Sequence, residues 1–488
     1  MSLSERIVRG VKATFAANVI NVAANAALIV ILARFLLTPD QYGLMYFALS
    51  VFGTVAILGT LGIPSSAARY VTEFEETAPG QVPHVIRAGL WYLLALSLVI
   101  GTAITVGSPW LAEFLGEPAL APLLALGLVY ILGEASRNYL VNIFQGLNRV
   151  TWSAAINSVQ AVARVVFAVG LVLLGFGVVG AIAGFVIAFA VASVLGAVVL
   201  YVRFYRHYES VDRQPDLVRR LLEYSVPLTV TRGAGVLDKR VDIILVGVLL
   251  NPAAVGYYTI AKQISDVCNT PANALGFTIS PAVGEQKAGN HADRAARLYE
   301  QALEYVLLLY VPAVVGIVLV AEPLVEYVFG PDYLGAVVVL QLLSLYVLAA
   351  AVVKITSDGL DYLGRARDRA VAKAIAAVAN FVLNLLLIPI FGIEGAALAT
   401  LLTFSTYTVA CVYIITTELP LEFVDVGRSL AGVTAVSLAM GVGVFTLLPY
   451  VDGLVSLFAV IAVGMAIWLI GVAGGGLLDV RQAVSYIS

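Results

Sequence analysis

The chain has 488 residues, 61% of them hydrophobic and 12% charged, with a mean hydropathy of +0.96 and a formal net charge of −3. Soluble domains carry roughly 25% charged residues, so a string of soluble domains is excluded. The small net charge, with no basic arm or aromatic-basic patch, leaves no case for nucleic acid.

Apolar residues come in blocks of about 20 to 28, close to the roughly 20 residues a helix needs to cross a bilayer. Barrel strands would alternate polar and apolar residues; Leu123–Leu132 and Val165–Gly175 do not, so the spans read as helices. The first block, Phe15–Phe35, follows Arg6, Arg9 and Lys12. It is too long for a signal-peptide core and no small-residue cleavage site follows it, so it reads as the first span. Spans are predicted at 13–36, 42–64, 86–107, 119–144, 152–174, 178–203, 223–249, 254–280, 300–321, 335–357, 371–390, 394–416, 429–449 and 453–475.

The basic residues test this map. Of 28 Lys and Arg, eight are placed inside spans: Arg34, Arg137, Arg164, Arg232, Lys239, Arg240, Lys262 and Lys354, with Arg87, Arg203 and Lys373, at the ends of spans that adjoin even-numbered loops, counted with those loops. The rest all fall in the tails or the even-numbered loops, among them Arg203, Arg206, Arg213, Arg219 and Arg220 after the sixth span. Basic loops stay in the cytoplasm, so both termini are expected there, in a multi-pass protein of the cell membrane. The three histidines (His84, His207, His291) lie far apart in cytoplasmic loops, and no Walker loop or metal-ligand cluster occurs. No cofactor or metal is expected, and no enzymatic activity. Cys268 and Cys411 sit in apolar blocks and read as small buried hydrophobes.

The chain repeats itself. Leu36-Leu37-Thr38-Pro39-Asp40-Gln41-Tyr42-Gly43 returns as Leu249-Leu250-Asn251-Pro252-Ala253-Ala254-Val255-Gly256, between the first and second helices of each half. Phe176-Gly177-Val178-Val179-Gly180-Ala181 returns as Phe391-Gly392-Ile393-Glu394-Gly395-Ala396, between the fifth and sixth. Six helices per half is an even number, so both halves enter the membrane in the same sense, as parallel repeats that rock about a central site. The fold expected is an all-α polytopic membrane protein of about 14 transmembrane helices: two pseudo-symmetric six-helix lobes at 1–210 and 211–420, and two further helices with a tail at 421–488.

A cation at a helix centre costs roughly 2.5–3.5 kcal/mol on insertion scales, so these side chains must pair, snorkel or line water. Glu134 with Arg137, Lys262 with Asp266 and Lys354 with Asp358 have helical spacing for pairing, while Arg34 and Lys354 lie near span ends. Arg164 has no acid on its helix and shares a face with Asn157 and Gln160. Polar stripes also run through Asn18, Asn21 and Asn25, and through Asn380 and Asn384. The seventh span holds Arg232, Asp238, Lys239, Arg240 and Asp242. Such stripes can join helices. Together with unpaired arginines they point to a hydrated cationic cavity for an anion, and guanidinium suits phosphate because its planar fork binds oxygens bidentately.

Leu32-Ala33-Arg34-Phe35-Leu36-Leu37-Thr38-Pro39-Asp40-Gln41-Tyr42-Gly43, followed by Gly62-Ile63-Pro64-Ser65-Ser66-Ala67-Ala68-Arg69-Tyr70, resembles the opening of the Wzx-type polysaccharide-transporter flippases. These belong to the multidrug/oligosaccharidyl-lipid/polysaccharide (MOP) exporter superfamily, with the multidrug-and-toxin extrusion (MATE) antiporters and the lipid II flippases. Asp238 through Val255-Gly256-Tyr257-Tyr258 to Ala261 resembles the matching stretch of the second half. The resemblance implies a flippase that carries oligosaccharide on a polyprenyl or dolichyl phosphate or pyrophosphate from the cytoplasmic to the outer leaflet, for polysaccharide biosynthesis or protein glycosylation. Basic cavity residues would hold the phosphate and sugar acids, and Arg34, Arg69, Arg164, Arg232, Lys239 and Arg240 are the candidates, with Arg137 and Lys262 second. Asp238, Asp242, Asp266 and Glu134 are candidates for coupling to H⁺ or Na⁺. Membrane lipid and glycan-assembly enzymes are the expected partners.

Two other functions fit a helical membrane bundle. A cation-coupled multidrug antiporter of the same fold would favour acids in the first lobe, where the spans hold Arg34, Arg137 and Arg164 against Glu134 alone. A membrane glycan polymerase or ligase would need a large charged outer loop, and the odd-numbered loops are short and lack Lys and Arg.

Overall fold

The computed structural model describes the backbone of residues 3–209 and 211–475, and the side chains from Thr14 onward within them, except at 230–232, 234, 237 and 238. Among the described residues every regular element is helical. The chain forms two compact units, Met1–Gly256 and Tyr257–Ser488.

The first unit contains α1 (Leu3–Ile31), α2 (Pro39–Thr60), α3 (Ile63–Thr77), α4 (Val82–Val106), α5 (Ser108–Phe114), α6 (Ala121–Leu124), α7 (Gly127–Gly146), α8 (Val150–Leu171), α9 (Gly177–Arg203) and α10 (Leu217–Leu249). Here α8 packs on α1 and α9, α7 on α3, α4 and α9, and α10 on α2 and α3. α11 (Pro252–Cys268) runs across the boundary. The second unit continues with α12 (Thr270–Ala288), α13 (Ala292–Val328), α14 (Val337–Tyr362), α15 (Ala366–Phe391), α16 (Ile393–Thr416), α17 (Phe423–Leu447) and α18 (Leu454–Gly474). α14 is central, touching α12, α13 and α16, while α17 and α18 pack on each other and on α13.

Ten helical stretches are long and apolar enough to cross a membrane, or eleven if the pair Pro118–Leu124 and Gly127–Gly146, bent by 51°, counts as one span; one stretch, Val150–His207, contains both α8 and α9. Hydropathy alone thus omits the predicted seventh and eighth spans. α10 is diluted by its central charges, and the eighth is broken. Where one helix is predicted over 254–280, α11 stops at Cys268 and α12 starts at Thr270, because Pro271 has no N–H to continue the ladder. Tyr310 of α13 accepts from Ala272 N–H (3.0 Å) and donates to the Cys268 carbonyl (2.8 Å), satisfying backbone groups that the break releases. The second predicted span also ends early, at Thr60, and the chain turns through Leu61 and Gly62 into the amphipathic α3.

The repeated motifs have repeated geometry. Thr38 caps α2 by accepting from Gln41 N–H (3.3 Å), and Asn251, its counterpart, accepts from Ala254 N–H (2.9 Å). Gly177 (φ 52°, ψ −139°) and Gly392 (φ 62°, ψ −141°) adopt the same backbone shape, which a side chain would strain. Lys354 and Asp358 form the predicted pair at 2.9 Å. The stripe on α15 joins helices: Asn380 donates to Thr403 on α16 (3.2 Å), and Asn384 donates back to Asn380.

Candidate functional site

Helical spacing sets out the polar groups of the first unit. Glu134 and Arg137 lie one turn apart on α7, and Asn157, Gln160 and Arg164 share a face of α8. Packing of α8 against α1 and α9 decides what they meet. Arg164 Nη2 donates to Asn25 Oδ1 on α1 (3.2 Å), and its guanidinium carbon lies 5.3 Å from the Phe185 ring centre. Arg137 Nη1 donates to Asn157 Oδ1 (3.0 Å), and its guanidinium carbon lies 5.9 Å from the Phe189 ring centre. Phe185 and Phe189 are buried one turn apart on α9. Each arginine is thus held in the same way, by one asparagine oxygen and one aromatic face.

This differs from the expected pairing of Arg137 with Glu134 on its own helix. Arg137 reaches across to α8, and Glu134 Oε2 is buried with no hydrogen-bond partner. The Nε atoms of Arg137 and Arg164 are buried and equally unpartnered. Arg240 of α10 closes the group: its Nη1 donates to the Leu49 carbonyl of α2 (2.6 Å). Its guanidinium lies over Gly53, where a Cβ would come within 2.1 Å of Cζ. Glu134 is within electrostatic range of Arg240 and Arg137, and Tyr130 of all three arginines. Tyr130 stacks on Phe52 (4.6 Å between ring centres) and meets Phe189 edge-on (5.3 Å). Beside this cluster is a cavity of about 380 Å³ lined by residues including Thr60, Glu134, Asn138, Thr229 and Lys239.

Arg137, Arg164, Lys239, Arg240 and Glu134 therefore gather in the first unit with Asn25 and Asn157 of the polar stripes, and with Phe185, Phe189 and Tyr130, whose part no sequence spacing announces. The other candidates lie elsewhere. Arg34, half-buried, is nine residues beyond Asn25, about 13 Å along the helix. Arg69, exposed on α3, stacks its guanidinium 4.0 Å from the Tyr224 ring centre. Asp242 is buried on α10 and makes an interaction of its own. Lys262 and Asp266 belong to the second unit; Lys262 Nζ lies 5.7 Å from the Tyr258 ring centre, and Asp266 is exposed. The side chains of Arg232 and Asp238 lie outside the described residues. Among the described residues no three His, Cys, Asp or Glu gather as a metal site.

The family described as "Polysaccharide biosynthesis protein" matches residues 7–286, and the one described as "MatE" matches 227–386. The chain is 26% identical over 438 residues to the probable low-salt glycan biosynthesis flippase Agl15 of Haloferax volcanii, covering 88% of each chain. It is 27% identical over 321 residues to the succinoglycan biosynthesis transport protein ExoT of Rhizobium meliloti, covering 64% of this chain and 61% of that one. Among solved structures, the lipid II flippase MurJ in an inward closed conformation superposes with a TM-score of 0.75 at 16% identity, over 95% of this chain and 98% of that one. An inward-facing MATE family multidrug resistance transporter of the MOP superfamily gives 0.61 at 16% identity, over 82% of this chain and 94% of that one. These two likenesses speak to the fold alone. The chain is a multi-pass membrane protein of the polysaccharide biosynthesis protein family, and its fold is like that of MurJ and of a MATE transporter.

Proposed function

We propose that this protein is a flippase that moves an oligosaccharide linked to a polyprenyl or dolichyl phosphate from the cytoplasmic to the outer leaflet by alternating access. The observation that carries this reading is the pair of arginines, 137 and 164, whose buried Nε donors have no acceptor. Leaving a buried donor unpaired costs about 1–3 kcal/mol, a cost the fold bears where a ligand completes the bonding. Phosphate oxygens match both the charge and the planar fork of guanidinium. The asparagine and phenylalanine beside each arginine hold it in position before substrate arrives, so less freedom is lost on binding. Relatives named as probable flippases, one of them for glycan biosynthesis, support the same reading.

The rest of the proposal follows from charge parity and the repeat: fourteen spans, both termini in the cytoplasm, lobes at 1–210 and 211–420, a two-helix extension from 421, and residence in the cell membrane. The protein performs no covalent chemistry in this reading. Glu134 and Asp242 in the first unit, with Asp266 and Asp238, are the groups proposed to couple transport to H⁺ or Na⁺. The MatE match over 227–386 favours a second reading, a cation-coupled drug antiporter. Two guanidiniums acting on the carboxylate of Glu134, with a third beside the neighbouring Tyr130, favour an anionic cargo instead.

The test is display of lipid-linked glycan in cells carrying Arg137→Ala or Arg164→Ala. Both variants should reach the membrane at normal levels while the lipid-linked glycan accumulates on the cytoplasmic face. Normal display by both variants would overturn the assignment.

A further inference from the structure

A separate cavity of about 510 Å³ opens between the start of α4 and the segment leading into α10. Its wall is built by three hydrogen bonds. Gln81, itself buried, donates through Nε2 to the Asp212 carbonyl (2.7 Å) and accepts at Oε1 from Gln214 N–H (3.1 Å). His84 Nε2 donates to the Val211 carbonyl (2.7 Å). Residues 211, 212 and 214 are thereby fastened to Gln81, which precedes α4, and to His84 in its first turn, and Arg213 between them lines the same cavity as Arg87. Both arginines are exposed, and no ion pair among the described residues holds either guanidinium.

The cavity changes character along α4. Arg87 is the last charged residue of that helix, and the sequence is apolar almost throughout from Ala88 to Val106. Trp91 lies four residues, about 6 Å, farther along the axis than Arg87. Trp91 and Tyr92 line the cavity while remaining 65% and 43% exposed. Indole and phenol rings in such positions settle at the headgroup level of a bilayer. One end of the cavity is thus dicationic and wet, and the other is aromatic and faces lipid. A ligand that matches both ends has an anionic head on an apolar body.

We propose that this cavity binds the phosphate of a membrane phospholipid, with the headgroup between Arg87 and Arg213 and the roots of its chains along Trp91 and Tyr92. The site is separate from the cluster around Glu134 and does not depend on the flippase reading. By fastening the loop before α10 to the membrane surface, a bound lipid would stabilise the first unit.

The experiment uses the purified full chain in detergent, titrated with dioleoylphosphatidylglycerol or dioleoylphosphatidylcholine and followed by native mass spectrometry and thermal unfolding. Phosphatidylglycerol should be retained and should raise Tm, and phosphatidylcholine should do neither. In Arg87→Gln/Arg213→Gln the apparent Kd for phosphatidylglycerol should weaken about tenfold or more, as expected for loss of charge-assisted hydrogen bonds. Arg428→Gln, which removes an exposed arginine of α17, should bind like the wild type. Should the double variant misfold, Arg213→Gln alone and Trp91→Ala give the same reading through weakened retention. Equal retention of the two lipids, unchanged binding in the double variant, or equal loss in Arg428→Gln would overturn the proposal. Inorganic phosphate separates the sources: if it alone reproduces the Tm rise and displaces the lipid, the ligand is a soluble anion and the lipid assignment fails.

Discussion

Gly43 and Gly256, at corresponding positions of the repeated motif, each pack against the other motif's proline. A Cβ on Gly43 would stand 1.7 Å from the Pro252 carbonyl oxygen, and one on Gly256 would stand 2.6 Å from the Pro39 carbonyl oxygen. The contact is reciprocal. Backbone on each side leaves no flexible side chain to give way. Gly43→Ala should therefore destabilise the protein by about 1–3 kcal/mol or more, and Gly256→Ala by less. Thermal unfolding in detergent measures both; a Gly43→Ala variant with unchanged Tm would show that the helix starts can separate freely.

Arg164 and Asn25 give a test of pre-organisation. Asn25→Ala keeps the guanidinium and removes the oxygen that orients it. Substrate binding should weaken by about 10-fold or more, the scale of one hydrogen bond to a charged group, while expression stays normal. Arg164→Lys should recover little, because an ammonium keeps the charge and loses the planar fork. Titration of a lipid phosphate into the purified variants reads both effects, and full recovery in Arg164→Lys would reduce the site to a point charge.

Glu134 lies within electrostatic range of Arg137 and Arg240. If it couples transport to an ion, Glu134→Gln should still bind lipid phosphate but should flip it at a rate that no longer responds to an imposed proton or sodium gradient. Flipping measured in vesicles with and without each gradient decides the matter. A variant that still responds as the wild type does would leave Glu134 a purely electrostatic partner of the arginines.

Glu418, just beyond α16, anchors an ion-pair network outside the spans. Arg365 reaches it at 2.7 Å and Lys287 at 3.6 Å, and Arg365 also holds Asp368 at 3.1 Å. The hydrogen bond from Arg365, followed by the nearby positive charges, pulls the Glu418 carboxyl below its ordinary range, against a smaller opposing effect of burial. A carboxyl depressed in the folded state adds stability above its unfolded value of about 4.3, and that stability is lost as pH falls through the lower folded value. Tm should therefore fall between about pH 5 and pH 3 by more in the wild type than in Glu418→Gln. Parallel pH profiles would refute the linkage.

Much of the architecture follows from sequence because it depends on local physics. Block lengths, set by bilayer thickness, mark the helices, and Thr38 and Asn251 with their prolines mark two helix starts in register. Helical spacing also puts Asn157, Gln160 and Arg164 on one face before any neighbour is known. The break between α11 and α12 is harder to read, since Pro271 alone does not say that Tyr310 of another helix will receive the exposed backbone.

What spacing cannot tell is which faces meet. Arg137 passes over the acid on its own helix for Asn157, Arg164 finds Asn25 across 139 positions, and Arg240 reaches the Leu49 carbonyl across 191. Phe185 and Phe189 look like any apolar residues of a span until packing brings them against the two guanidiniums. The number of buried charges is a matter of composition, and desolvation demands that each find company. Which partner each one finds is settled only when helices distant in the chain pack side by side, because a hydrogen bond acts over about 3 Å and sequence periodicity extends no farther than its own helix.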